Sequence, residues 1–279
     1  MRRLGFAFNP TKPQAMELRE QALAWCAGQG IDAWSAEANA LAELLERLPH
    51  TDGLVVLGGD GTFLRAARAL AMIDVPVLGI NSGRVGFLSK VEPDGLESTL
   101  ALLRDDAYSV EERMMLQATI LPAGERAGSV TYAALNDAAI VRGAEVRVVR
   151  LQVVIDDSHL ANYVADGLVV ATPTGSTAYS FSAGGPILGP TARNLVVTPI
   201  AAYLSSIRSI VLGDTHTVIV RLVDGPACVV SIDGREDHPL VRGDAVEIQP
   251  LERPLRFIEP RDALPFWDLL RRKAALLPA

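Results

Sequence analysis

The chain carries only two cysteines, Cys26 and Cys228, far apart and in apolar surroundings. That excludes a disulfide framework and any CxxC redox or zinc motif, and it fits a reducing cytoplasm. Lysine is nearly as scarce, at Lys12, Lys90 and Lys273, and none follows a glycine loop, so the phosphate-binding pattern GxxxxGK[ST] is excluded. Long hydrophobic runs are missing too. The stretch Leu195 to Leu204 is interrupted by Thr198 and Pro199 and falls short of the ~20 residues a membrane helix needs. The start, Met1-Arg2-Arg3 before Leu4 to Phe8, has the basic character of a signal peptide but too short an apolar core and no small-residue cleavage site; it reads as a first buried strand. Positive charge is in deficit, with 26 Lys+Arg against 33 Asp+Glu and a formal charge of −7, which argues against a broad nucleic-acid-binding surface. An anionic ligand must then be met by backbone amides and arginines. His50, His159, His216 and His238 are scattered without ligand spacing and read as surface or structural residues, so no protein-built metal site is expected.

What is present is globular material: 279 residues, 49% hydrophobic and 21% charged, enough for two packed cores or one large one. Up to about residue 104, short apolar runs alternate with helical spacing. Leu4 to Phe8, Ile31 to Trp34, Leu54 to Leu57 and Val77 to Ile80 are bounded by Gly, Pro and Asn, as buried parallel strands are. Between them, Thr11 can cap a helix with Pro13 in its first turn that closes at Gly28 or Gly30, and Leu41, Leu44, Leu45 and Leu48 form an apolar stripe. This predicts a doubly wound, Rossmann-like α/β domain over 1–104. From 105 to 250 the strand-like runs Leu116 to Leu121, Val146 to Ile155, Val218 to Val223, Val229 to Ile232 and Ala245 to Ile248, with turns at Asp224-Gly225-Pro226 and Asp233-Gly234, predict a mainly antiparallel β domain. In the tail, 251–279, Leu264 to Leu277 returns to helical spacing with Arg271, Arg272 and Lys273 near its end, and is expected to pack back on the first domain. No internal repeat or low-complexity segment is visible.

Three segments could carry chemistry. Gly53 to Leu57 delivers the chain into Gly58-Gly59-Asp60-Gly61-Thr62, after which Phe63 to Met72 reads as a helix. The carboxyl end of a strand in an open α/β sheet is where ligands bind, and glycines there let backbone N–H groups approach a phosphate or ribose. Gly-Asp-Gly by itself also suits a tight turn with an Asx cap. Gly79-Ile80-Asn81-Ser82-Gly83-Arg84-Val85-Gly86-Phe87-Leu88 is a second glycine-rich turn without the GxGxxG spacing, and a plain connection fits it equally well. Finally, Asp166 to Ile187 runs from a valine-rich strand into Thr172-Pro173-Thr174-Gly175-Ser176-Thr177-Ala178-Tyr179-Ser180-Phe181-Ser182, whose hydroxyls, glycine and aromatic ring could hold a planar base and its ribose, or form a solvated turn.

These strings resemble a known family. Gly58 to Thr62 is similar to the signature shared by diacylglycerol, sphingosine and NAD kinases and the 6-phosphofructokinases, while Asp166 to Ile187 and Leu135-Asn136-Asp137 resemble the NAD kinase branch in particular. The resemblance runs the length of the chain, from the strand before Asn9 to the Asp233-Gly234 turn. It implies an N-terminal α/β domain, a C-terminal β-sandwich and an active site between them. The implied reaction moves a phosphoryl group from ATP, with polyphosphate as an alternative donor, to the 2′-hydroxyl of the adenosine ribose of NAD. Asp60 is then the catalytic base, with Gly61 in the same pocket and Arg65 within reach of phosphate. Asn136, Asp137, Arg147, Asp166, Thr174, Thr177, Ala178, Tyr179, Ser180, Phe181, Ser182 and Ala201 fall where the family contacts the dinucleotide. Mg²⁺ would arrive with ATP, and a cytoplasmic homodimer or homotetramer without nucleic-acid or membrane partners is implied. Two positions depart from the pattern: Val164 stands where many relatives carry a basic residue, and Arg235 where they often carry glutamine. A lipid or sugar-phosphate kinase would share the glycine loop but lack the hydroxyl-rich one. A dinucleotide sensor without turnover would not need Asp60.

Overall fold

A computed structural model describes residues 1–83, 86–124, 128–144, 147–205, 207–261 and 263–275. Arg84 and Val85 of the second glycine-rich turn, Val146, and Leu276 and Leu277 of the tail lie outside them. The chain forms two compact units, one from Met1–Glu112 with Leu255–Ala279 and one from Arg113–Pro254.

The first unit opens with β1 (Arg3–Phe8), α1 (Pro13–Gly28), β2 (Asp32–Glu37), α2 (Leu41–Arg47), β3 (Gly53–Leu57), α3 (Asp60–Leu70), β4 (Val77–Ile80), α4 (Leu96–Arg104) and β5 (Tyr108–Arg113). Its sheet runs β2-β1-β3-β4, then the late strand Leu255–Pro260, then β5. β1 pairs in parallel with both β2 and β3, so the chain winds outward from β1 to one side and then to the other. The β1/β3 boundary is thus a topological switch point, and the glycine-rich loop after β3 opens there. One sheet face, bearing Phe6, Phe8, Val55, Leu57 and Ile80, is covered by Leu18, Ala22 and Cys26 of α1 and Leu96, Leu100 and Leu103 of α4. Ile258 joins that core, so its neighbour Phe257 points to the opposite face, where Phe63 of α3 stacks on it at 4.9 Å. Such a buried aromatic pair contributes roughly 0.5–1.5 kcal/mol beyond its area. The C-terminal helix, Phe266–Ala275, belongs to this unit.

Local chemistry departs from the sequence reading in three places. Thr11 does not cap α1: its N–H and hydroxyl both donate to Asn9 Oδ1, and the helix begins after Lys12 without a side-chain cap. The stripe Leu41 to Leu48 spans a helix that tightens into a 3-10 turn at Leu48–His50, with only Leu44 and Leu48 buried. α3 starts three residues before Phe63, with Asp60 in its first turn. β5 was not foreseen, because Tyr108-Ser109-Val110-Glu111-Glu112-Arg113 is too polar to read as a strand until its place at a sheet edge is known.

The second unit contains β6 (Leu116–Leu121), β7 (Val130–Ala134), β8 (Asp137–Arg142), β9 (Val149–Ile155), β10 (Ser158–Ala165), β11 (Gly167–Ala171), α5 (Tyr179–Ser182), β12 (Asn194–Ile200), β13 (Ile210–Gly213), β14 (Val218–Asp224), β15 (Cys228–Ile232), β16 (Arg235–Leu240) and β17 (Ala245–Pro250). Two sheets of six strands, ordered β10-β9-β14-β17-β6-β7 and β13-β12-β11-β8-β15-β16, share one core. Alternation decides which side chains enter it: Leu116, Ala118 and Ile120 on β6 meet Ala138 and Ile140 on β8 and Val230 on β15. This is the expected β-sandwich. Among the described residues no helix is long and apolar enough to cross a membrane.

Candidate functional site

In the first unit, Gly58 to Thr62 bends directly from β3 into α3. The Asp60 carboxylate does not project freely. Its Oδ2 accepts the N–H of Phe87 at 2.9 Å, and its Oδ1 accepts those of Leu88 at 3.0 Å and Ser89 at 3.2 Å. The second glycine-rich turn is therefore no plain connection: it supplies the donors that orient the aspartate of the first. Gly86 is obligatory in this arrangement, because a Cβ there would collide with the Asp60 carboxylate. Gly61 is exposed beside it, and Arg65, half-buried one turn into α3, has no side-chain partner among the described residues.

In the second unit a cleft of about 610 Å³ opens on the outer face of the sheet containing β8 and β15. Such a face ordinarily meets water and is polar. Here Asp137, Ala139 and Val141 alternate with the core residues Ala138 and Ile140, and across the strand pair Val229 faces Val141 and Ser231 faces Ala139. Small and apolar side chains thus make a flat floor, which Ala178 and Tyr179 border. The volume suits a small-molecule ligand.

Two carboxylates sit at one end. Asp233, at φ +52, lies in the turn between β15 and β16 and accepts the N–H groups of Leu135 at 2.9 Å, Asn136 at 2.7 Å and Asp137 at 3.1 Å. Burial pushes its pKa up against the pull of those donors. Asp137 is 4% exposed and accepts no side-chain hydrogen bond among the described residues; burial first, and the negative charge of Asp233 second, push its pKa up to about 7. The Asn136 side-chain amide has no partner among the described residues either. At the other end, Arg142 Nε donates to Asp166 Oδ1 at 2.9 Å.

The hydroxyl-rich segment is ordered as a 3-10 turn, Thr174–Thr177, followed by the short α5. Gly175 packs so closely on Asn136 that a Cβ would strike the Asn136 backbone, and Thr172 Oγ1 donates to the Leu135 carbonyl at 2.5 Å. The hydroxyls divide sharply. Ser176 donates to the Pro173 carbonyl and accepts the Leu188 N–H, while buried Ser180 pairs with Thr198 at 3.2 Å, so both serve the fold. Thr177 donates to the Thr174 carbonyl, and Thr174 Oγ1 is buried without a partner among the described residues. Phe181 and Ser182 are exposed. Of the implied dinucleotide contacts, Asn136, Asp137, Ala178 and Tyr179 line the cleft, and Asp166 is tied to Arg142, which does too. Arg147 and the exposed Ala201, at φ +49, do not. Sequence reasoning missed Arg142, Ser231 and Asp233 as lining residues. The available signal was the Asp-Gly turn at 233, but its partners lie nearly a hundred residues earlier in the chain.

A carboxylate at the mouth of a glycine-rich strand-to-helix bend in the first unit, and a cleft edged by carboxylates and an amide in the second, are each suited to part of a nucleotide. Comparison with known proteins makes this specific. Residues 37–108 match the ATP-NAD kinase N-terminal domain and residues 135–260 the ATP-NAD kinase C-terminal domain. The NAD kinase of Symbiobacterium thermophilum is 39% identical over 98% of this chain and 99% of its own length, and that of Heliobacterium modesticaldum 36% identical over 97% of each. Among solved structures, yeast NADH kinase complexed with NADH superposes with a TM-score of 0.83 at 23% identity, covering 99% of this chain and 87% of that one. An NAD kinase from Archaeoglobus fulgidus in complex with ATP gives 0.79 at 24% identity, covering 99% and 100%. The chain belongs to the ATP-NAD kinase family, and ATP-dependent phosphorylation of NAD is its activity.

Proposed function

We propose that Asp60 is the base of this reaction and that the cleft over β8 and β15 holds the dinucleotide. In the transfer, the O–H bond of the adenosine-ribose 2′-hydroxyl breaks and its proton passes to Asp60, while the ribose oxygen bonds the terminal phosphorus of ATP and the bridging oxygen leaves with ADP. The transition state is loose, so the work is positioning and charge stabilisation rather than strong basicity. Arg65, unpaired among the described residues, suits a phosphate of the donor. Asn136, Asp137 and Asp233 supply one amide and two carboxyls for the hydroxyls and amino group of a nucleoside, and Tyr179 walls the cleft beside it. Among the described residues no three His, Cys, Asp or Glu side chains converge to hold a metal; a divalent ion would come with the phosphates of ATP, whose charge it would offset.

The observation that carries this reading is the carboxylate of Asp60, fixed by three N–H groups at the carboxyl end of β3. The test is to incubate the protein with NAD or NADH, ATP or polyphosphate, and magnesium, and to measure NADP or NADPH. Formation of NADP from NAD and ATP by the parent protein and its collapse in folded Asp60→Asn is the expected result. Full turnover in that variant removes the aspartate from its role. The homodimer or homotetramer is tested separately by light scattering.

A further inference from the structure

We propose that Lys90 and Glu259 are positioning residues that hold the Asp60 carboxylate in its reactive orientation; this rests on the reading of Asp60 as the base. The three N–H groups that orient Asp60 come from consecutive residues, Phe87, Leu88 and Ser89, and Lys90 follows directly. Lys90 Nζ meets Glu259 Oε1 at 2.6 Å, with side chains only 9% and 15% exposed. Glu259 lies on the strand Leu255–Pro260 of the central sheet. The ion pair therefore anchors the amide-bearing segment to a rigid element.

The segment needs such an anchor. Ser89 Oγ is fully buried and makes no hydrogen bond among the described residues, so the conformation that serves Asp60 costs the segment an unsatisfied hydroxyl. Among the described residues the Gly86 N–H reaches the Ser89 carbonyl at 3.2 Å, and Val91 is bridged to β4, its N–H reaching the Gly79 carbonyl at 3.4 Å and its carbonyl accepting the Asn81 N–H at 2.8 Å; between these ties, Lys90 is the side chain that fixes the segment to the late strand. The C-terminal helix adds a second hold, with the Phe87 ring 6.0 Å from that of Phe266 and Lys273 Nζ 5.0 Å over it. The orientation matters because a carboxylate has about four acceptor sites. Among the described residues two N–H groups fill Oδ1 and one reaches Oδ2, which makes Oδ2 the oxygen that takes the ribose proton. A tilt of the segment would present a filled site instead.

The experiment measures kcat, KM for NAD and for ATP, and melting temperature in Lys90→Met, Glu259→Gln and the exchange Lys90→Glu/Glu259→Lys. Each single change is expected to lower kcat about tenfold or more, the scale of a misplaced reacting group, with both KM values within about twofold of the parent. The exchange should recover most of the loss. In an Asp60→Asn background, Lys90→Met should lower the residual rate no further, since the group it positions is gone. Should Lys90→Met not fold, Lys90→Gln/Glu259→Gln, which can keep a hydrogen bond across the pair, takes its place: kcat is expected to fall less than in Glu259→Gln alone, and an equal or larger fall overturns the proposal. Unchanged kcat in folded single variants, or a loss that repeats in full on Asp60→Asn, overturns the proposal. If Asp60→Asn has collapsed and the Lys90 variants have not, the base assignment stands and this inference alone fails.

Discussion

Asp60 and Asp137 are the same residue in opposite surroundings. Asp60 is half-exposed and its charge is met by three N–H groups, whereas Asp137 is buried with no side-chain partner among the described residues and with Asp233 beside it. A carboxylate already furnished with donors is oriented for a task before any ligand arrives. One left without them is costly in the free protein, and a ligand that brings a donor relieves that cost. The contrast fits the proposed division between Asp60 as the reacting group and Asp137 as a recognising one.

The strongest way to break this comparison is to remove the reacting charge. Asp60→Asn is expected to reduce kcat by at least ~10² while NAD binding, measured by calorimetry, persists. Loss of binding with intact folding would instead make Asp60 a recognition residue.

Next in size is the pH dependence set by Asp137. Its pKa is pushed up to about 7, whereas the unfolded carboxyl titrates near its ordinary value of about 3.9. Between those values the folded state binds more protons than the unfolded one, so stability falls as pH rises and the loss is complete above about pH 7. From pH 5 to pH 8 the decline is of the order of 2 kcal/mol. Urea unfolding at the two pH values should show a larger decline in the parent than in Asp137→Asn, where buried Asp233 still contributes; equal declines in both proteins would place the effect elsewhere.

Smaller effects sharpen the recognising side. Tyr179→Ala and Thr177→Val, made separately, should each raise KM for NAD by roughly tenfold or less, leaving KM for ATP near that of the parent. A loss confined to ATP would transfer the segment to the donor side. The least effect is expected on stability in Asp166→Ala, since its pair with Arg142 is partly exposed and worth under about 1 kcal/mol. A rise in KM for NAD with almost no change in melting temperature would fit its place beside the cleft.

The sequence made the local parts legible. Strand, glycine loop and helix around Asp60 are contiguous, and so is the run from Gly167 to Ser182, so period and turn chemistry sufficed. Hydroxyls were legible only as a group. Which of them face a ligand depends on partners such as Thr198 and Leu188, and Ser180 and Ser176 prove to be tied to the fold. The clamp on Asp60 was hidden because its donors are backbone N–H groups 27 to 29 residues away, which have no side-chain signature. The acid pair was hidden for the same reason at longer range. The strand Leu255–Pro260 escaped because it completes a sheet begun at Arg3, a pairing that no window on the sequence spans.

That late strand also governs the order of assembly during synthesis. Residues 113–254 form a continuous unit whose ends are already joined to each other, with Leu116 paired to Pro250 and the Leu251 N–H bonded to the Met115 carbonyl. It has all its strands before the last residues leave the ribosome. The first unit, begun earlier, waits for Leu255–Pro260 to fill the gap between β4 and β5. Vectorial synthesis therefore finishes the middle of the chain before its beginning, and a transcript cut short after residue 254 leaves a finished sandwich attached to an incomplete sheet with two unpaired inner edges.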